Sequence, residues 1–246
     1  MIRPLALALA LAPAISPVPA LADDPLPKLG PLAVPITAET GHLRQSPAPD
    51  FWAFHPFVRP QFTSSACGIA SVTAALNGLR GLPPLAETEI PDQPALLAAI
   101  GDPLWEGLTA EGGDGITFAQ LGELARAGAA ALGLEIEVAS LPAADTSDAE
   151  LRAALAANEA TAEDVLLVYF NQGVVTGDWD GPHVALVGAF DVATDRVLIL
   201  EVDQAWYIPY WTPVATLLEA MRRPTSAEHG PLEGETGGVV RLARSG

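Results

Sequence analysis

Gln61-Phe62-Thr63-Ser64-Ser65-Ala66-Cys67-Gly68-Ile69-Ala70 is the stretch on which the reading of this chain turns. An apolar helical pattern starts at its cysteine. Ile69, Val72, Leu76 and Leu79 recur at helical spacing, and Gly81 supplies a stop. The spacing puts the sulfur of Cys67 at the positive end of a helix dipole, a position that suits a thiolate. Gln61, six residues upstream, can offer a side-chain donor to a developing oxyanion. Cys67 is the chain's one cysteine, so it has no internal disulfide partner and leaves no cysteine cluster for zinc or iron–sulfur. Such a residue either packs as a small hydrophobe or works as a reactive thiol. The second reading needs a base and an acid to orient it.

The chain has 246 residues, enough for one domain with a sizeable core. It carries 12 Lys and Arg against 30 Asp and Glu, a formal net charge of −18. That balance disfavours nucleic acid and anionic membranes as partners. Arg3, the apolar run Leu5 to Leu11 and the small-residue site Ala20-Leu21-Ala22 predict a signal peptide over residues 1–22, cleaved near Ala22. Export, to a bacterial periplasm, is the expected location. Pro13, Pro17 and Pro19 leave the leading run too short to span a bilayer, and no later stretch is long and apolar enough.

Residues 23–60 are proline-rich and weakly patterned, and are expected as an extended leader anchored by Phe51, Trp52, Phe54 and Phe57. Residues 61–246 are expected as a single catalytic domain. After the Cys67 helix, a second helix is predicted over residues 93–100, ended by Gly101. The glycine-rich, acidic run 101–115 reads as a flexible loop without the lysine of a phosphate cradle. Thr117 with Gln120, and Ser147 with Glu150, form capping boxes that open two further helices, with a strand over 134–140 between them. The period then changes to that of strands over 164–170, 183–190 and 196–203. A helix is expected from Thr212-Pro213 to about Arg222, and a last strand over 238–244. Helices first and an antiparallel sheet after predict an α+β domain with two lobes.

Of four histidines, His42 and His55 lie in the leader and His229 in a polar loop. His183 follows Asp180-Gly-Pro and opens an apolar strand, a place that can face a cleft. The next strand, Val197-Leu-Ile-Leu-Glu-Val-Asp203, carries Glu201 and Asp203 on one face. A carboxylate among those apolar neighbours is costly unless paired. A hairpin turning at residues 191–195 returns both toward His183, so cysteine, histidine and carboxylate can meet as a thiol-protease triad.

Several stretches resemble the phytochelatin synthase family, papain-like cysteine transpeptidases acting on glutathione (glutathione γ-glutamylcysteinyltransferases). They are Gln61-x5-Cys67-Gly68-Ile69-Ala70-Ser71 with Leu76-Asn77-Gly-Leu79, then Gly115-Ile116-Thr117-Phe118, Gly181-Pro182-His183, and Val197 to Pro213. The resemblance implies a papain-like fold, a helical lobe carrying Cys67 packed on an antiparallel sheet lobe carrying His183 and the acid. It implies Cys67 as nucleophile, His183 as base and Gln61 as oxyanion donor. The family's aspartate, eighteen residues after its histidine, falls on Glu201, with Asp203 the alternative. Gln204 stands where the family has an arginine associated with substrate handling, and with Tyr207 and Gly68 it is a candidate substrate contact.

The activity this implies is cleavage of the Cys–Gly bond of glutathione through a γ-glutamylcysteinyl thioester, giving γ-glutamylcysteine, phytochelatin or both. The chain is similar to the short bacterial form, associated more with cleavage than with polymer synthesis. No built-in cofactor and no protein metal site are expected; cadmium or zinc would arrive on substrate thiolates. A substrate with two carboxylates calls for a locally positive pocket, for which Arg59, Arg80, Arg126 and Arg152 are the candidates. The alternatives are a double-glycine leader peptidase, which usually has an acid–proline pair that Glu201-Val and Asp203-Gln lack, and a silent thiol-peptide binding module.

Overall fold

The computed structural model describes residues 28–245; the expected signal peptide lies outside them. Seven antiparallel strands form one sheet in the order β1-β6-β5-β4-β3-β7-β2. They are β1 Val34–Pro35, β2 Ile136–Pro142, β3 Asp164–Asn171, β4 Pro182–Asp191, β5 Arg196–Leu200, β6 Tyr210–Pro213 and β7 Gly238–Arg244. The period-2 alternation of β3 assigns its faces. Val165, Leu167 and Tyr169 enter one core, and Leu166, Val168 and Phe170 enter a second on the opposite side.

The first core is covered by the helix that begins at the cysteine, α3 Cys67–Arg80, together with α2 Pro49–Phe54, α4 Gln93–Ile100 and α6 Phe118–Ala131. The predicted period holds: Ile69, Val72, Leu76 and Leu79 are all buried, and Gly81 ends the helix at φ 74°. Ser71 Oγ donates to the Val184 carbonyl at 3.0 Å, tying α3 to β4. A Cβ on Gly78 would meet the Phe54 ring at 2.1 Å, so only glycine lets α2 approach. Both capping boxes are formed, opening α6 and α7 Asp148–Glu159. The second core lies under α7 and α9 Val214–Arg222. The α+β expectation holds, with helices on both faces of the sheet.

Three expectations are corrected. The segment read as extended before residue 60 folds into β1, α1 Gly41–Gln45, α2 and a 3-10 turn at His55–Phe57. Pro49 sits in the first turn of α2, where its missing N–H costs nothing, and Phe51 and Phe54 are buried while Trp52 is exposed. Part of the run read as loop, 101–115, is α5 Pro103–Thr109, opened by the Asp102 carboxylate accepting from Leu104 N at 2.9 Å. Thr212 lies in β6 rather than starting a helix, and Pro213 both ends β6 and caps α9. β6 pairs Leu198 with Trp211, and its partner β1 is a two-residue edge strand. A last short helix, α8 Gln172–Thr176, follows β3 directly. Among the described residues no helix is long and apolar enough to cross a membrane.

Candidate active site

The helix that presents Cys67 begins without a side-chain cap: its N-cap is Ala66. A serine or aspartate there would occupy first-turn amides; alanine offers them no side-chain acceptor. The loop leading into the helix is held by its own polar run. Thr63 Oγ1 donates to Thr109 O at 2.5 Å, Ser65 Oγ to Gly113 O at 2.6 Å, and Ser64 bonds Glu111 through its amide at 3.0 Å and its hydroxyl at 2.8 Å. Buried Gln93 braces the other side, accepting from Phe62 N and donating to Pro60 O. Gln61 N donates to Val202 O at 2.8 Å, so the glutamine is fastened to the segment after β5 that bears the carboxylates.

His183 sits at the mouth of β4, opposite Phe170, and both its ring and the Glu201 carboxylate are buried. His183 Nε2 and Glu201 Oε1 are 2.7 Å apart. Cys67 and His183 line the same hollow, and the thiol is close enough to act on the imidazole. Glu201 is fully satisfied. Oε1 also accepts from Asp203 N at 2.6 Å, and Oε2 accepts from Gln172 Nε2 at 3.1 Å. Gln172 opens α8 and is itself buried. The Tyr210 hydroxyl lies beside Gln172 but makes no well-formed bond, so Tyr210 Oη and Gln172 Oε1 are both buried without partners.

Of the two candidate acids, Glu201 meets the histidine and Asp203 does not. The β4–β5 ladder ends at Leu186–Leu200, and beyond it the chain turns so that the Asp203 amide caps Glu201. The longer glutamate spans the diagonal to His183. Burial pulls down on the His183 pKa, but the charge and hydrogen bond of Glu201 and the neighbouring Cys67 raise it to about 10. Burial pushes the Glu201 pKa up, but the imidazolium and the two backbone amides of Asp203 and Val202 hold it below the usual carboxylate range. Asp203 is half-buried with no hydrogen-bond partner for its carboxylate among the described residues, and burial and Glu201 push its pKa up.

Cys67 lies between two hollows. One, of about 640 Å³, is lined by Gln61, Cys67, Gln172, His183, Trp206 and Tyr207 among others. The other, of about 350 Å³, is lined by Cys67, Gly115, Ile116, Tyr169 and His229 among others. His229, set aside in the sequence, therefore borders the site, with its Nε2 2.7 Å from Asp180 O. Tyr207 lines the larger hollow and donates to Asp178 Oδ2 at 2.9 Å. Gln204 instead donates to Glu201 O at 3.0 Å and faces a neighbouring hollow beside Lys28. Gly68 lines neither; a Cβ there would meet Ile116 Cδ1 at 2.3 Å, so its part is close packing under the cysteine.

Among the described residues the expected positive pocket is not formed. Arg59 bonds the Pro56 and Val58 carbonyls, Arg126 the Val138 carbonyl, and Arg152 the Asp195 carboxylate. Arg80 is at the far end of α3 from Cys67. Among the described residues no lysine or arginine lines either hollow.

A cysteine at the open end of a helix, facing a buried histidine–carboxylate pair on an antiparallel sheet, is the layout of a papain-like cysteine enzyme. The sequence model of the phytochelatin synthase family matches residues 37–229, and the chain belongs to that family, whose members are papain-like and transfer the γ-glutamylcysteinyl group of glutathione. The match begins inside the segment expected as a leader. No curated protein matches the sequence.

Proposed function

We propose that this protein is a cysteine-dependent acyltransferase that cleaves the Cys–Gly bond of glutathione, or of a related γ-glutamyl thiol peptide, through a thioester on Cys67. The observation that carries the reading is the meeting of Cys67, His183 and Glu201 at one cleft beside Gln61, in a chain of this family. Cys67 Sγ attacks the amide carbonyl carbon. The oxyanion forms against the open amides of α3 and the Gln61 side chain. His183 then delivers its proton to the departing nitrogen, the C–N bond breaks, and γ-glutamylcysteine remains as the acyl group. Water attacking the thioester releases γ-glutamylcysteine; a second peptide amine attacking it gives phytochelatin. His183 takes up the proton of either nucleophile. Glu201 is the orienting acid, fixed by Gln172 and the Asp203 amide.

Metal belongs to this reading as cargo: cadmium or zinc enters on substrate thiolates. The reading includes export, with residues 1–22 removed as a signal peptide and the enzyme at work in a bacterial periplasm. The complete triad argues against a silent binding module. Glycine release from glutathione, measured by amino-acid analysis with and without cadmium, tests the reading, with Cys67→Ala beside it. Release by the parent alone is expected. Equal release by both proteins, or none by either, overturns it.

A further inference from the structure

Ser64, Cys67, Trp179 and Pro182 line both hollows, so they mark the boundary between them. The carbonyl that Cys67 attacks must lie at that boundary. Trp179 is the largest of these side chains, and its indole is 44% exposed. It belongs to the connection between α8 and β4, which Gly177 opens at φ 78°.

That connection is fastened on both sides of the tryptophan. Asp178 Oδ2 accepts from Tyr207 Oη at 2.9 Å, and Asp180 Oδ1 accepts from Asn171 Nδ2 at 2.5 Å. A Cβ on Gly181 would meet the Trp179 ring at 2.3 Å, so the indole is folded back over its own loop and needs a glycine beneath it. His229 reaches in from the 3-10 turn Ala227–Leu232. Its Nε2 lies 2.7 Å from Asp180 O; a carbonyl only accepts, so Nε2 carries the proton. The His229 ring also meets the Trp179 ring edge-on, with centroids 5.4 Å apart. An aromatic ring is therefore held in place beside the nucleophile before any substrate arrives, and its ordering adds no further cost on binding.

His183 lines the larger hollow, so the amine leaves on that side and the next nucleophile arrives there. Once the amine has gone, water competes with an incoming amine for the thioester. A fixed apolar ring excludes water from the side it covers, and its face offers a peptide a stacking surface.

Resting on the acyl-transfer reading above, we propose that Trp179, latched by His229, sets how the Cys67 thioester divides between water and an incoming amine, by covering the thioester and seating the amine that takes the acyl group. In both branches the bond between Cys67 Sγ and the acyl carbon breaks and the sulfur leaves as thiolate. A C–O or C–N bond forms at that carbon, and the proton of the nucleophile passes to His183.

The test uses the full chain with glutathione as acyl donor and isotopically labelled glycine as acceptor. Mass spectrometry counts two products of one intermediate, γ-glutamylcysteine from water and labelled glutathione from glycine. Their ratio does not depend on how much of a preparation is folded. Labelled glutathione relative to γ-glutamylcysteine should fall about tenfold in Trp179→Ala and about threefold in His229→Gln, and Trp179→Phe should stay close to the parent. Should Trp179→Ala fail to fold, Trp179→Leu, which keeps an apolar side chain over Gly181 but no ring, carries the same expectation. A ratio unchanged in the Trp179 variants, whatever happens to the total rate, overturns the role of the indole; one unchanged in His229→Gln alone overturns the latch. A parent that releases γ-glutamylcysteine but forms no labelled glutathione overturns this inference and leaves cleavage through Cys67 standing. Neither product from the parent overturns both.

Discussion

Replacing Glu201 by glutamine removes one charge from the site and little else. The new amide oxygen can accept from His183 Nε2 and the Asp203 amide as Oε1 does now, at 2.7 and 2.6 Å. The new amide nitrogen faces Gln172, whose Nε2 now donates at 3.1 Å and whose Oε1 has no partner. A flip of the Gln172 side chain restores that bond. What is lost is charge assistance, so stability should fall by about 1–2 kcal/mol, the difference between a charged and a neutral hydrogen bond. That energy corresponds to about one pH unit on His183. Removing an anion destabilises the imidazolium, so the shift is downward from about 10. The basic limb of the kcat/KM profile for glutathione hydrolysis should therefore move to lower pH by about one unit, and the rate at neutral pH should fall by about tenfold to a hundredfold. Urea unfolding and the pH–rate profile are the two assays. A profile unmoved in Glu201→Gln but displaced in Asp203→Asn would refute the assignment of the orienting acid.

Gln61→Ala removes a side-chain donor from the oxyanion position; kcat should fall by about 10²–10³ with KM little changed, measured with glutathione. Gly68→Ala forces a methyl group to 2.3 Å from Ile116 Cδ1, directly under Cys67; a cost of about 1–3 kcal/mol is expected in chemical denaturation, together with slower alkylation of Cys67 by iodoacetamide. Because the folded pKa of His183 is raised from 6.5 to about 10, its stabilising protonation is fully present below pH 6.5 and lost as pH rises toward 10. Unfolding midpoints across that window should decline in the parent, and His183→Gln should flatten the decline.

The local part of this protein is legible in its residues. A 3.6-residue apolar period with a glycine stop defines α3, two capping boxes open α6 and α7, and β-branched runs mark β3, β4, β5 and β7. Each of these signals acts within a few residues, so it survives without the rest of the chain. The same holds for the chemistry of single groups: a cysteine at a helix start and a histidine at a strand mouth are local facts. What only the tertiary structure decided is which of these groups meet. The alternation of residues 197–203 puts Glu201 and Asp203 on one strand face, but β5 ends at Leu200, and the turn beyond it sends the Asp203 amide back to cap Glu201. Gln172 and Gln93 carry no sequence signal, because their partners, Glu201 and the 60–62 loop, are distant in the chain. β6 was hidden by its proline and by edge pairing with a two-residue strand. The charge of the cleft was hidden most completely. Arginine guanidinium groups reach several ångströms in any direction, and here they turn to backbone carbonyls and surface acids. The sequence could therefore determine which groups were available, while the packing of distant segments determined that carboxylates and, among the described residues, no arginine or lysine line the cleft beside Cys67.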